Sequence, residues 1–182
     1  GMLDRGEFGW IIHVGLSYFS WFDPAPDDPK HWRVVRSRSG GGPLADMGTH
    51  MFDVLIGLFE LPTRVSAMVS TLERVWNVEE NAAVIMRMHD GAFATGSFHW
   101  NSKTWSHTFE IAGTEGRIIW RPYDSGRIVV VRGKEVTELD LPPAENVHRP
   151  LIDDFIAAVR EGRPPAVTLT DAAKTNRLLD AI

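Results

Sequence analysis

The spacing of apolar and polar residues changes several times along the chain, and each change predicts a new element. Residues 8–22 are rich in aromatic and β-branched side chains that alternate with polar or small ones, most clearly over 14–18, which predicts a long strand. Three prolines follow it. Residues 27–42 are polar and largely aperiodic, so we expect a loop with at most a short helical turn. Ordered loops of this length tend to serve a site.

The next segment has the three-to-four spacing of an amphipathic helix over 44–61, which Pro62 ends. Runs with strand character follow at 65–75, 82–89, 93–100, 108–112, 117–121, 128–132 and 135–141. Several of the links between them are too short for a parallel crossover, so we expect antiparallel neighbours. Helical spacing returns at 147–161 and 171–182.

This order of elements predicts a single α+β domain over 1–182: a large, mostly antiparallel open sheet with helices on one face. Alternate residues of a strand point to opposite faces of the sheet, and these strands carry large apolar groups in both sets of alternate positions. On 93–100, for example, Phe93 falls in one set and Phe98 and Trp100 fall in the other. Since the helices cover one face only, we expect the open faces of two chains to pack together in a homodimer, or in a tetramer of such dimers.

Composition narrows the classes of function. The chain has no cysteine, which excludes disulfides, thiolate zinc sites and cysteine nucleophiles. Its net charge of -5 argues against a nucleic-acid or anionic-membrane partner. No apolar run approaches the ~20 residues that span a bilayer, and the start lacks the pattern of a secretory signal. We therefore expect a cytoplasmic protein without a polyanionic partner.

The segment from Gly40 to Ala45 formally matches the dinucleotide fingerprint G-x-G-x-x-G/A. Its context contradicts that interpretation, because the polar residues 36–39 stand where a buried strand is needed. The acidic residue twenty positions on, Glu60, lies at a helix end and not at the end of a strand. We expect a flexible loop that leads into a helix, and no cofactor on this chain.

Asp46, His50 and Asp53 recur at i, i+4 and i+7, which places them on one helix face beside the long loop. Three titratable groups on an otherwise apolar helix suit a site where a proton is moved. The alternative is that Asp46 caps the helix and His50 is a partly buried, hydrogen-bonded histidine. These residues are too few to predict a metal site. We interpret His99 and His107, beside tryptophans, as amphipathic rings at a sheet edge or interface.

The segment GGGPLADMGTHMFDVL at 40–55 resembles the G-G-x-x-x-D-x-G-x-H-x-x-D-x-L signature of the Gfo/Idh/MocA oxidoreductases, the relatives of glucose–fructose oxidoreductase and inositol dehydrogenase. LDRGEFG at 3–9 resembles the start of that family's second domain. IAGTEG at 111–116 and the stretch from 151 to 164 resemble its mid-sheet turn and C-terminal helix. The resemblance covers nearly the whole chain.

The resemblance implies the C-terminal, substrate-binding and oligomerisation domain of a two-domain enzyme whose N-terminal Rossmann domain binds NAD or NADP. It places Asp46 as the substrate-orienting carboxylate and His50 as the proton-handling histidine. The family's catalytic lysine, in an E-K-P segment, has no counterpart here, so we expect this chain alone to be inactive. The implied substrate is a secondary alcohol of a sugar, cyclitol or related diol.

Position beside the helix start adds Trp32, Arg33 and Arg36 as expected substrate contacts, together with Asp53. A non-catalytic binding or scaffold module with the same sheet is the alternative function. A preceding cofactor domain in the natural chain would favour the enzyme.

Overall fold

The computed structural model describes residues 1–124 and 126–182. Its strands are β1 (Ile11–Trp21), β2 (Arg64–Ser70), β3 (Asn81–Arg87), β4 (Phe93–His99), β5 (Asn101–Gly113), β6 (Arg117–Trp120), β7 (Arg127–Arg132) and β8 (Glu135–Asp140). They form one eight-stranded sheet in the order β2-β3-β4-β1-β5-β6-β7-β8. Every neighbouring pair is antiparallel except β1 and β4. The expected α+β class with a mostly antiparallel open sheet is therefore confirmed.

The helices are α1 (Arg36–Ser39), α2 (Thr49–Phe59), α3 (Arg149–Glu161) and α4 (Leu169–Asp180), with a 3-10 turn at His31–Val34 and a π-helical turn at Leu44–Gly48. The predicted helix over 44–61 thus begins with one wide turn and ends two residues early. The predicted start of the last helix at 171 is also wrong. Thr168 caps α4 and forms a reciprocal capping box with Asp171, which begins the helix at Leu169.

Two strand predictions have boundaries that are wrong by more than three residues. The strand expected over 65–75 ends at Ser70, because the backbone N–H groups of Leu72 and Glu73 turn to donate to the buried Glu80 carboxylate. The strand expected over 108–112 extends from Asn101 to Gly113, because it pairs with β1 over 106–113 and again at Asn101, with an irregularity between them. Long-range pairing of this kind overrides the local residue pattern.

The core lies between the sheet and the helices α2 and α4. From the sheet it contains Val14, Leu16, Phe98 and Phe109, and from the helices it contains Met51, Phe52, Leu55 and Leu178. The opposite face of the sheet is open and mixed in character, with polar His13, Thr95 and Ser97 beside half-exposed Ile85 and Phe93. Within the part of the chain that the structure describes, no helix is long and apolar enough to cross a membrane.

Candidate functional site

The loop before α2 lies against the link between β2 and β3 (71–80). Side chains of that link bind the loop at two backbone positions. Asn77 Oδ1 accepts a hydrogen bond from the Arg36 N–H at 2.8 Å, and Glu79 Oε1 accepts one from the Gly42 N–H at 2.7 Å. A Cβ at Gly42 would lie 1.9 Å from the Glu79 carbonyl oxygen, so only glycine fits there. The glycine run therefore serves close backbone packing.

The π-helical turn at Leu44–Gly48 sets the direction of the side chains that follow. The Thr49 N–H donates to the Leu44 carbonyl, five residues back, and the Thr49 hydroxyl donates to the Ala45 carbonyl at 2.6 Å. Such a wide turn adds a residue to the helical ladder and is frequent at functional sites. Asp46 lies within this turn and His50 lies just after it, so their spacing is not that of a regular α-helix.

The three titratable residues expected on one helix face have different surroundings. Asp46 Oδ1 lies 3.6 Å from Arg33 Nε, an ion pair with the loop. His50 is exposed and its ring meets Tyr123 edge-on, with the centroids 6.4 Å apart. Asp53 instead accepts a hydrogen bond from the Thr175 hydroxyl of α4 at 3.1 Å. The structure thus brings Asp46 and His50 to one side, near Tyr123, and uses Asp53 in helix packing.

A cavity of about 160 Å³ opens between the loop and the start of α2. Its lining combines three of the expected site residues with small or polar neighbours: Trp32, Arg33, Asp46, Ser39, Gly41, Ala45 and Thr49. The Arg33 guanidinium lies 5.3 Å from the Trp32 ring centroid, and its buried Nε has no hydrogen-bond partner among the described residues. That N–H is shut off from solvent and lies 3.6 Å from Asp46 Oδ1, beyond hydrogen-bond distance. Arg36 lines a neighbouring cleft of about 670 Å³ that also meets α4.

Tyr123 is a site residue that the sequence pattern does not reveal. It lies in the turn between β6 and β7, and its hydroxyl donates to the Met47 carbonyl at 3.0 Å across 76 positions of sequence. Its ring also packs edge-on against Tyr18, with the centroids 5.7 Å apart. Burial raises the pKa of Tyr123 above its ordinary value, and Tyr18 and the Asp46 carboxylate raise it further. The phenol therefore stays protonated.

His107 is fully buried on an interior strand, so the edge interpretation is wrong for this residue. Its Nδ1 accepts a hydrogen bond from the Tyr123 N–H at 3.5 Å, and its Nε2 lies 3.2 Å from Asp124 Oδ1. Burial lowers the pKa of His107, although Asp124 opposes the shift. The ring is therefore neutral at pH 7, with its proton on Nε2.

His99 lies on the open face of the sheet at the end of β4. Its ring stacks on Phe19, with the centroids 4.7 Å apart, and its nitrogens bond Ser97 and Asn81 at 2.7 and 2.6 Å. Burial lowers the pKa of His99. The interface role predicted for this residue stays a prediction.

The arrangement can bind and deprotonate a hydroxyl group. A carboxylate, a guanidinium and a tryptophan ring line one cavity at the start of α2, and the exposed imidazole of His50 follows Thr49, which also lines that cavity. Imidazole is the side chain best suited to exchange a proton near neutral pH. Among residues 1–124 and 126–182, no three histidine or acidic side chains are grouped to hold a metal ion.

Comparison with known proteins identifies the family. The model of the GFO/IDH/MocA C-terminal domain matches residues 1–119. The chain therefore belongs to the Gfo/Idh/MocA C-terminal domain family, as its resemblance to the family signature indicated. It is 27% identical, over 146 residues, to levoglucosan dehydrogenase of Pseudarthrobacter phenanthrenivorans, an alignment that covers 65% of this chain and 37% of the relative.

Solved structures share the fold. Levoglucosan dehydrogenase in complex with NADH superposes with a TM-score of 0.84 at 22% identity, covering 100% of this chain and 57% of that one. Aldose-aldose oxidoreductase from Caulobacter crescentus, complexed with glycerol, superposes with a TM-score of 0.84 at 23% identity. The superposition covers 99% of this chain and 54% of that one. Levoglucosan dehydrogenase has also been solved with NADH and levoglucosan. The chain spans little more than half the length of these proteins.

Proposed function

We propose that the chain is the substrate-binding and oligomerisation domain of an NAD(P)-dependent oxidoreductase that acts on a secondary alcohol of a sugar, cyclitol or related diol. The observation that carries the proposal is the exposed His50 beside Asp46, next to a cavity that Trp32 and Arg33 line. Membership of the family and the likeness to sugar oxidoreductases support it.

The residues at the cavity suit a polyol. Binding sites of small molecules combine an aromatic or apolar surface with a few well-placed polar groups. The Trp32 ring offers a flat surface for the C–H face of a sugar. The Asp46 carboxylate accepts hydrogen bonds from hydroxyl groups, and the partly exposed Arg33 guanidinium donates them. Together they orient the carbinol toward His50.

In this proposal the nicotinamide cofactor would take the hydride from the carbinol carbon, and His50 accepts the hydroxyl proton as the alcohol is oxidised and returns it in the reverse direction. Asp46 orients the substrate. The nicotinamide cofactor does not fit this chain's glycine loop, because Gly42 is packed against the Glu79 backbone and its N–H already donates to the Glu79 carboxylate. We propose that a preceding domain holds the cofactor, as the coverage of longer relatives suggests.

The test is a kinetic comparison in the longer protein that joins this segment to its cofactor domain. We expect NAD- or NADP-dependent oxidation of at least one member of a panel of anhydrosugars, aldoses and cyclitols. His50→Ala should lower kcat by about 10²-fold or more, the usual effect of losing a general acid–base. The matched control is His31→Ala, on the preceding loop. Turnover unchanged in His50→Ala contradicts the assigned role, and sugar binding without turnover in the wild type favours the non-catalytic module.

We also propose that the open face of the sheet joins two chains in a homodimer, from which a tetramer can be built. Large apolar side chains on this face are substantially exposed: Met68 80%, Ile85 49% and Phe93 49%. Such a face is rarely left to water. Its hydrogen-bonded polar groups, among them His99, are already paired within the chain, which lowers the cost of covering them.

A further inference from the structure

We infer that Tyr123 is a positioning residue for the catalytic turn: its hydroxyl fixes the Met47 carbonyl, and through it the orientation of Asp46 and His50. The catalytic part of this inference rests on the proposed function, whereas its structural part does not. Tyr123 touches His50 only through its ring edge, so it acts through the turn and not on the substrate.

The position of the acceptor makes the hydrogen bond effective. Met47 lies inside the π-helical turn, one residue after Asp46 and three before His50. A π-helical turn is a less regular element than the α-helix that follows it, so an external hydrogen bond to its backbone restricts it strongly. A bond of 3.0 Å from a half-buried phenol to that carbonyl connects the π-helical turn to the turn between β6 and β7.

Tyr123 is itself held from the opposite side. The buried His107 ring accepts the Tyr123 N–H and pairs with Asp124, and Arg121 Nε lies 2.6 Å from Asp124 Oδ2. His107 belongs to β5, in the interior of the sheet. The contacts therefore run without a break from a rigid strand, through the turn at 121–124, to the backbone beside His50.

The chemistry of the phenol agrees with a positioning role. Burial keeps Tyr123 protonated, so the hydroxyl remains a donor across the range in which an imidazole works. The chain contains one other tyrosine, Tyr18, which packs against Tyr123. Within the described residues the Tyr18 hydroxyl makes no side-chain hydrogen bond, so Tyr18→Phe is a matched control for Tyr123→Phe. Each substitution removes one oxygen from neighbouring rings.

The first experiment uses nuclear magnetic resonance on this chain. We expect Tyr123→Phe to shift the Met47 carbonyl-carbon resonance and the His50 ring resonances, and Tyr18→Phe to leave both nearly unchanged. Asp124→Asn, which weakens the hold on Tyr123, should shift the same signals in the same direction. If Tyr123→Phe moves them no further than Tyr18→Phe does, the inference is wrong.

The second experiment measures turnover in the longer protein with its cofactor domain. Displacement of a reacting group lowers the turnover rate more than it weakens substrate binding. Tyr123→Phe should therefore lower kcat on the order of tenfold and change KM less than about threefold. If Tyr123→Phe only destabilised the fold, it would lower the melting temperature without affecting kcat more than KM. A kcat equal to that of Tyr18→Phe overturns the inference. A wild-type protein without turnover refutes the proposed function, and the resonance shifts still decide the positioning role.

Discussion

Glu80 offers the sharpest test of how the site loop is supported. Its carboxylate is fully buried and accepts hydrogen bonds from the Leu72 and Glu73 N–H groups at 2.8 and 3.1 Å and from Arg74 Nη1 at 3.2 Å. Arg74, itself nearly buried, also stacks on Trp21 and Trp76. These contacts fix the link at 71–80, on which the loop before α2 lies.

Replacing Glu80 by alanine leaves two backbone donors and a buried guanidinium without their shared acceptor. Breaking a buried ion pair by removing one partner costs about 3–5 kcal/mol. Arg74 keeps a second carboxylate, Asp23, at 3.2 Å, which is half exposed. We therefore expect the low end of that range, about 3 kcal/mol of unfolding free energy. For a chain of this size this lowers Tm by roughly 6–12 °C.

The measurement is urea unfolding followed by tryptophan fluorescence, with Glu73→Ala as the control in the same link. The Glu73 side chain is exposed, so its removal should change the free energy by less than about 0.5 kcal/mol. A loss below about 1 kcal/mol in Glu80→Ala would show that the link is not held by this carboxylate, and the reasoning would fail.

The Glu80 carboxylate should also make the stability of the fold depend on pH. Burial opposes the charged form of Glu80, but its backbone and arginine donors outweigh it and hold the pKa below the ordinary 4.5. A lowered folded-state pKa means that the charge stabilises the fold above about pH 4.5, and that this contribution is lost as pH falls through the folded value. The difference in stability between wild type and Glu80→Gln should therefore shrink below pH 4.5.

Three further predictions follow from the fold and the site. Gly42→Ala should destabilise the chain by about 1–3 kcal/mol, because its Cβ meets the Glu79 carbonyl oxygen. Gly57→Ala, in open space on α2, should instead stabilise the chain by about 1 kcal/mol. Equal effects of the two substitutions in chemical denaturation would contradict the close packing at Gly42. Calorimetric titration of this chain with NAD or NADP should give no micromolar binding, and such binding would refute the assignment of the cofactor to another domain. Light scattering at tens of micromolar should give at least twice the 20.4 kDa of one chain, and a monomer mass would exclude the proposed interface.

The sequence predicts which helices and strands this fold contains better than it predicts where each one begins and ends or which strands are neighbours in the sheet. The amphipathic spacing over 44–61 reveals a helix, but not the π-helical turn at its start, whose Met47 carbonyl accepts a hydrogen bond from the distant Tyr123. The residue pattern identifies β4 and β5 and their direction. It does not show that β1 lies between them, because a single residue, Trp100, links the two strands.

The candidate site divides in the same way. Asp46 and His50 are near each other in sequence and belong to a recognisable signature, so the sequence finds them. Tyr123 and His107 have no such signature, since their contacts with the site arise only when distant strands pair. Asp53 has the right spacing for the site and still belongs to helix packing, because α4 lies against that side of α2.

The central place of β1 has a consequence for how the chain reaches its native state. β1 precedes β4 and β5 along the chain and lies between them in the sheet, so neither of its edges has its native partner until residues 93–113 are available. Contacts of such high sequence separation make folding slow, because loop closure must precede any gain from pairing. During synthesis, the aromatic-rich β1 stays exposed as an unpaired strand, which favours aggregation at high expression.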